Sequence, residues 1–116
     1  MINGTSGDNI KGTSEADTID ARGGDDTITA LGGLDTVDAG SGDDQAFGGD
    51  SSDVLHGQGD DDYLTGNQFS DDLYGGRGAD VLRGGKSGDF LVGNTGADML
   101  RGQSSDDDIY LTGAPT

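Results

Sequence analysis

The chain reads as an all-β protein in which two parallel sheets wind into a solenoid, with about eighteen residues per coil and about six coils. Three observations predict this. An aspartate recurs every nine residues, at Asp8, Asp17, Asp26, Asp35, Asp44, Asp53, Asp62, Asp71, Asp80, Asp89, Asp98 and Asp107. An aliphatic side chain follows two residues after each, at Ile10, Ile19, Ile28, Val37, Ala46, Leu55, Leu64, Leu73, Leu82, Leu91, Leu100 and Ile109. Glycine makes up 24 of the 116 residues, which opposes helix, and nine residues are too few for a helical repeat unit.

Each unit divides into a six-residue turn that closes on the aspartate and a three-residue strand. The strand sends its middle, aliphatic side chain inward and its two neighbours outward. Two units make one flattened coil with a turn at each edge. Coils then stack about 4.8 Å apart through parallel strand pairing, giving a rod roughly 30 Å long.

Taken in order, the units change character without losing phase. Counted from Asn3, the third, fourth and fifth open with Ala21, Ala30 and Ala39, and their inward residues are Ile28, Val37 and Ala46. From Leu55 the inward residue is leucine until Ile109, and every unit opens with glycine. The unbroken period predicts one domain over 1–116, with repeats at 3–110 and a frayed tail at 111–116. Neither end carries an evident cap, so the terminal coils are expected to be open edges.

Composition adds a constraint. Hydrophobic residues are 29% and the net charge is −17, a balance that by itself favours disorder. Of the 23 acidic residues only Glu15 is glutamate, which suits short carboxylates placed in turns better than a generic acidic surface. Six Lys and Arg cannot neutralise a phosphate backbone, so nucleic acid is not an expected partner. No apolar run reaches membrane-spanning length, Met1-Ile2-Asn3 does not begin a signal peptide, and the absence of cysteine excludes thiolate sites and disulfides.

The phased aspartates carry the functional signal. Hard cations such as Ca²⁺ take six to eight oxygen ligands from carboxylates and carbonyls. Stacked coils set each turn above an equivalent one, where an ion can be held from both sides. Without ions, carboxylates about 5 Å apart repel one another strongly. The competing reading, that the aspartates only cap turns, leaves that repulsion unanswered.

Residues Gly75 to Arg83, GGRGADVLR, are the one unit of twelve that meets the pattern GGxGxDxUx in full, where U is a large aliphatic. On that pattern the chain resembles the RTX (repeat-in-toxin) calcium-binding nonapeptide-repeat family over residues 3 to 110. The resemblance implies a right-handed parallel β-roll with Ca²⁺ between successive coils on each edge. It also implies type I secretion from a Gram-negative bacterium and folding outside the cell. The implied ligands are the side chains of all twelve phased aspartates and early-loop carbonyls such as those of Gly57, Gly59, Gly75, Arg77, Gly93 and Thr95. Five gaps per edge give up to about ten ions, enough to offset the charge of −17.

The edges differ in their fourth loop position. Loops closing at Asp8, Asp26, Asp44, Asp62, Asp80 and Asp98 hold glycine there in four cases: Gly24, Gly42, Gly78 and Gly96. Loops closing at Asp17, Asp35, Asp53, Asp71, Asp89 and Asp107 hold Glu15, Gly33, Ser51, Phe69, Ser87 and Ser105. A side chain at a position needing positive φ costs about 1 kcal/mol or more, so the first edge is expected to bind Ca²⁺ more completely.

Later units place Val54, Tyr63, Tyr74, Val81, Phe90, Val92, Met99 and Tyr110 outward, offering a surface for self-association or a neighbouring domain. Strand propensity alone would favour the same residues. His56 stands alone on an outward position, and no catalytic constellation is legible, so the chain is not expected to be an enzyme. The sequence predicts a calcium-binding structural module that folds on binding its ions. The alternatives are an adhesin, a ligand-binding or self-associating rod, or the accessory module of a secreted enzyme.

Overall fold

In a computed structural model, which describes residues 1–5, 7–103 and 106–111, thirteen strands alternate between two wholly parallel sheets. One sheet holds β1 (Ile2–Asn3), β3 (Thr18–Asp20), β5 (Thr36–Asp38), β7 (Val54–Gln58), β9 (Asp72–Gly76), β11 (Phe90–Asn94) and β13 (Asp108–Tyr110) in that order. The other holds β2 (Asn9–Lys11), β4 (Thr27–Thr29), β6 (Gln45–Gly49), β8 (Tyr63–Asn67), β10 (Val81–Gly85) and β12 (Met99–Gln103). The result is a β-solenoid of about six turns at about eighteen residues per turn, as the nine-residue period predicts.

Register between coils follows the repeat. Ile19 pairs with Val37, Leu55 with Leu73 and Leu73 with Leu91 on one sheet, and Ile28 with Ala46, Ala46 with Leu64 and Leu64 with Leu82 on the other. These aliphatics form the core. From Ile19 to Leu91 each is almost wholly buried, and Ala21, Ala30 and Ala39 join them. The interior is one aliphatic layer from each sheet, because a period of two sends every second strand residue inward.

Four details depart from the sequence reading. The principal extents are 33 × 28 × 23 Å, so the molecule is a block and not a rod. The strands are three residues long from β2 to β5 and five from β6 to β12. The inter-coil ladder nonetheless enters the loops in both halves, since Ala21 N–H donates to Asp38 O at 2.9 Å and Ala39 N–H to His56 O at 2.8 Å.

The first loop is also one residue short. Asn3 lies in register with Asp20, the last strand position of the unit behind it, so Gly4 opens the loop and not Asn3. Finally, the amino end is not bare. Strand β1 adds a pairing over β3 and Ile2 packs on the core, whereas at the other end Ile109, in the last described strand, is 44% exposed. Of the expected tail, residues 112–116 lie outside the described residues.

Candidate metal centre

Each loop runs from one sheet to the other across an edge and closes on a phased aspartate. These aspartates point into the edges of the solenoid, not outward. Asp26, Asp35, Asp44, Asp53, Asp62, Asp71, Asp80 and Asp89 are only 1–3% exposed, and Asp8, Asp17, Asp98 and Asp107 near the ends are half-buried. A carboxylate so enclosed requires partners for both oxygens.

One oxygen has its partner in the neighbouring coil. The backbone N–H of Asp8 donates to Asp26 Oδ1, that of Asp26 to Asp44 Oδ1, and the ladder continues through Asp62 and Asp80 to Asp98. A matching ladder runs from Asp17 through Asp35, Asp53, Asp71 and Asp89 to Asp107, and all ten bonds measure 2.6–2.9 Å. The same aspartates pair their carbonyls with the strand that follows one coil on, as where Val81 N–H donates to Asp62 O at 2.8 Å. These bonds link successive coils, eighteen residues apart, and are not the capping of the residue's own turn that the sequence raised as the rival of metal binding.

The other oxygen is orphaned. Oδ2 of Asp26, Asp35, Asp44, Asp53, Asp62, Asp71, Asp80, Asp89 and Asp98 is buried without a hydrogen-bond partner, on both edges. In the first coil, with no coil before it, the same atom has one: Thr13 N–H donates to Asp17 Oδ2 at 2.6 Å and Thr5 N–H to Asp8 Oδ2.

Around six of the orphaned oxygens, from Asp53 to Asp98, the loops leave space that only glycine permits. A Cβ placed on Gly48 would stand 2.6 Å from Asp53 Oδ2 and 3.1 Å from Gly66 O, the carbonyl one coil on. On Gly57 it would stand 2.7 Å from Gly75 O and closer still to Asp62 Oδ2, and on Gly93 2.8 Å from Leu111 O beside Asp98 Oδ2. The missing side chain thus marks a cradle where a carboxylate oxygen and a main-chain carbonyl from the next coil converge.

Among the described residues no three acidic or histidine side chains meet at one point. A cation here would be held by carboxylate plus carbonyl oxygens, a donor set that suits a hard ion such as Ca²⁺. Of the carbonyls expected to contribute, Gly75 O faces the cradle of Gly57. Gly57 and Gly93 open their loops as Gly75 does, and Gly59, Arg77 and Thr95 occupy third positions. The second-position carbonyls are committed elsewhere: Gln58 O accepts from Arg77 N–H at 2.7 Å and Gly76 O from Thr95 N–H at 3.1 Å.

Electrostatics point the same way. Burial pushes the carboxyls of Asp62 and Asp71 up to about 8, that of Asp44 to about 7, and those of Asp53, Asp80 and Asp89 to about 6. The amide of the preceding coil opposes the rise, and neighbouring carboxylates reinforce it. The charge is uncompensated by protein, which is the situation a bound cation resolves.

Positive φ recurs at the fourth loop position on both edges, with Glu15 the exception among the described residues. Gly24, Gly42, Gly78 and Gly96 adopt it at 99–113°, and so do Asp60, Ser51, Phe69 and Ser87 at 67–78°. Sequence reasoning missed that the second position adopts it too, at Arg22, Leu31, Gln58, Asn67, Asn94 and Gln103 as well as Gly40, Gly49, Gly76 and Gly85. Six of those ten residues are Gly or Asn, which was the available signal, since those residues tolerate this region best. A second ladder was also missed: Asp61 N–H donates to exposed Asp43 Oδ1 and Asp43 N–H to Asp25 Oδ1, in the opposite sense to the buried one.

The outward residues are less uniform than expected. His56 stacks on Tyr74 at 4.7 Å, and Tyr74, Phe90 and Tyr110 continue an aromatic ladder with ring centroids 5.6–5.9 Å apart. Val92, expected on the open surface, is 2% exposed because it lies in register between Tyr74 and Tyr110 beneath that ladder. Tyr63 and Val81 are half-buried on the opposite sheet, with Phe47 beside Tyr63 at 6.1 Å, and Met99 is 53% exposed.

A parallel solenoid lined at both edges by buried, half-satisfied carboxylates belongs to the class of cation-binding repeat proteins. Models of the RTX calcium-binding nonapeptide repeat match at residues 2–37, 30–64, 38–73, 65–98 and 85–113, and the chain is a member of that family. None of the curated proteins or solved structures matches it.

Proposed function

We propose that this chain is a calcium-switched structural module, in which ion binding and folding are one equilibrium and the twelve phased aspartates are the side-chain ligands. The observation that carries this reading is the series of nine orphaned Oδ2 atoms, each enclosed at a loop edge. Without a cation, each leaves an unanswered desolvation penalty, so the coils are expected to form only as ions fill them. Bound Ca²⁺ would supply the opposing charge, and up to about ten ions would fit the gaps between coils. The edge closing at Asp8 through Asp98 would fill first, because among the described residues its fourth position strains Asp60 alone where the other edge strains Ser51, Phe69 and Ser87. A chain of this kind suits secretion in an extended state followed by folding in extracellular calcium.

Circular dichroism during Ca²⁺ titration, with Mg²⁺ as the control, tests the reading. The expected result is a disordered spectrum in chelator and a β spectrum with Ca²⁺ alone. A chain already rich in β structure in chelator would overturn it.

The aromatic ladder of His56, Tyr74, Phe90 and Tyr110 supports a second role, as the surface through which the folded roll meets a twin or a neighbouring domain. Sedimentation in Ca²⁺ at rising concentration should reveal a dimer, and a strict monomer would count against self-association.

A further inference from the structure

The twelve loops differ at their first position. In eight of them, opening at Gly12, Gly48, Gly57, Gly66, Gly75, Gly84, Gly93 and Gly102, the point that a Cβ would occupy lies within 2.8 Å of the loop's own aspartate Oδ2. Real Cβ atoms essentially never come that close to an oxygen. Such loops can hold their carboxylate where they do only because the side chain is missing.

Three loops do carry that side chain. Ala21, Ala30 and Ala39 open the loops closing at Asp26, Asp35 and Asp44, and each methyl is wholly buried within the apolar core. The backbone follows the same course through them. Ala21, Ala30 and Ala39 donate to Asp38, Phe47 and His56 carbonyls of the next coil at 2.8–2.9 Å, and Arg22, Leu31 and Gly40 take the positive φ of the second position at 79–97°. Ala30 also keeps its carbonyl in the cradle one coil back, since a Cβ on Gly12 would press on Ala30 O beside Asp17 Oδ2. What changes is the first position itself, where these three carry a methyl at the point that the glycine loops leave empty. Asp26, Asp35 and Asp44 Oδ2 nonetheless remain buried and unpartnered.

We infer that the methyls of Ala21, Ala30 and Ala39 partly occlude the cation cradles of Asp26, Asp35 and Asp44, so that the chain carries two classes of calcium site divided along the solenoid axis. The tight class belongs to the glycine-opened loops from Gly48 onward, and the weak class to the three alanine-opened loops. In the weak half, alanine methyls and the isoleucine, valine and alanine core supply apolar contact where the other half relies on ions. The inference rests on the calcium reading above. It differs from the edge preference, because Ala21 and Ala39 lie on one edge and Ala30 on the other.

Equilibrium dialysis against radioactive Ca²⁺ counts ions per chain without relying on folding signals. The intact chain should show two classes separated by at least about tenfold in affinity. The triple substitution Ala21→Gly, Ala30→Gly, Ala39→Gly should move up to three ions from the weak class to the tight one. In chelator the same variant should hold less structure, because glycine raises the entropy of the unfolded chain; tighter binding therefore cannot come from a firmer scaffold. Ala79→Gly, at an exposed fifth position, is the control and should leave the count unchanged. A chain that binds no Ca²⁺ would overturn the underlying reading. Binding in one class, with the triple variant unchanged, would overturn this inference and leave that reading standing.

Discussion

At the scale of the residue, each phased aspartate does two jobs with two oxygens. In Asp62, Oδ1 accepts Asp44 N–H at 2.9 Å while Oδ2 faces the cradle unpartnered. Asp62→Asn keeps an acceptor for the ladder and removes the charge. Calcium titration calorimetry should show one fewer tight ion or an affinity loss of about tenfold at that loop, roughly 1.4 kcal/mol. Protons compete for the same oxygen. The folded carboxyls of Asp62, Asp71 and Asp44 lie at about 7 to 8, well above the ordinary value of 3.8. A group raised in the folded state stabilises it fully below its unfolded value and loses that contribution as pH rises through its folded value. In chelator, dichroism should therefore report more β structure at pH 4 than at pH 8. In limiting Ca²⁺ the trend should invert, because the ion takes the ionised form.

At the scale of the element, loop strain and strand packing set the stability of a coil. Phe69 holds φ at 67° while its ring is 54% exposed, so it bears backbone strain with little burial in return. Phe69→Gly should stabilise the calcium form by about 1 kcal/mol, read as a lower Ca²⁺ midpoint or a higher Tm. Leu64 is wholly buried and lies in register between Ala46 and Leu82. Leu64→Ala would set two alanines side by side in a layer one residue thick, at a cost of about 3 kcal/mol in urea unfolding at saturating Ca²⁺. The core positions were legible from the sequence because a period of two inside a period of nine leaves them no other face. The first loop was not. An aspartate column in perfect phase hides the missing residue before Asp8, and only the pairing of Asn3 with Asp20 exposes it.

At the scale of the molecule, a chain with a net charge of −17 folds around two columns of buried carboxylates. Small-angle scattering should follow the consequence. The radius of gyration should fall from about 35 Å for the unfolded chain in chelator towards the 12.6 Å of the folded Cα trace as Ca²⁺ is added. A compact particle in chelator would mean that the aliphatic layer suffices without ions.

The repeat by itself determined the sheet order, the coil length, the inward residues and the membership of Asp8 through Asp107 in two edge columns. Periodicity is enough for that, since identical units in sequence must take equivalent places in a stack. Only the tertiary structure decided how each carboxylate divides its oxygens, because Oδ1 is satisfied by an amide eighteen residues earlier. It also decided that Val92 is covered, that positive φ recurs at two loop positions, and that a Cβ at most glycine-opened loop starts would clash with the loop's own carboxylate. Those facts depend on what the neighbouring coil and the opposite end of the same loop bring within reach. A linear pattern shows the period of such contacts, and the stacking of coils supplies their distances.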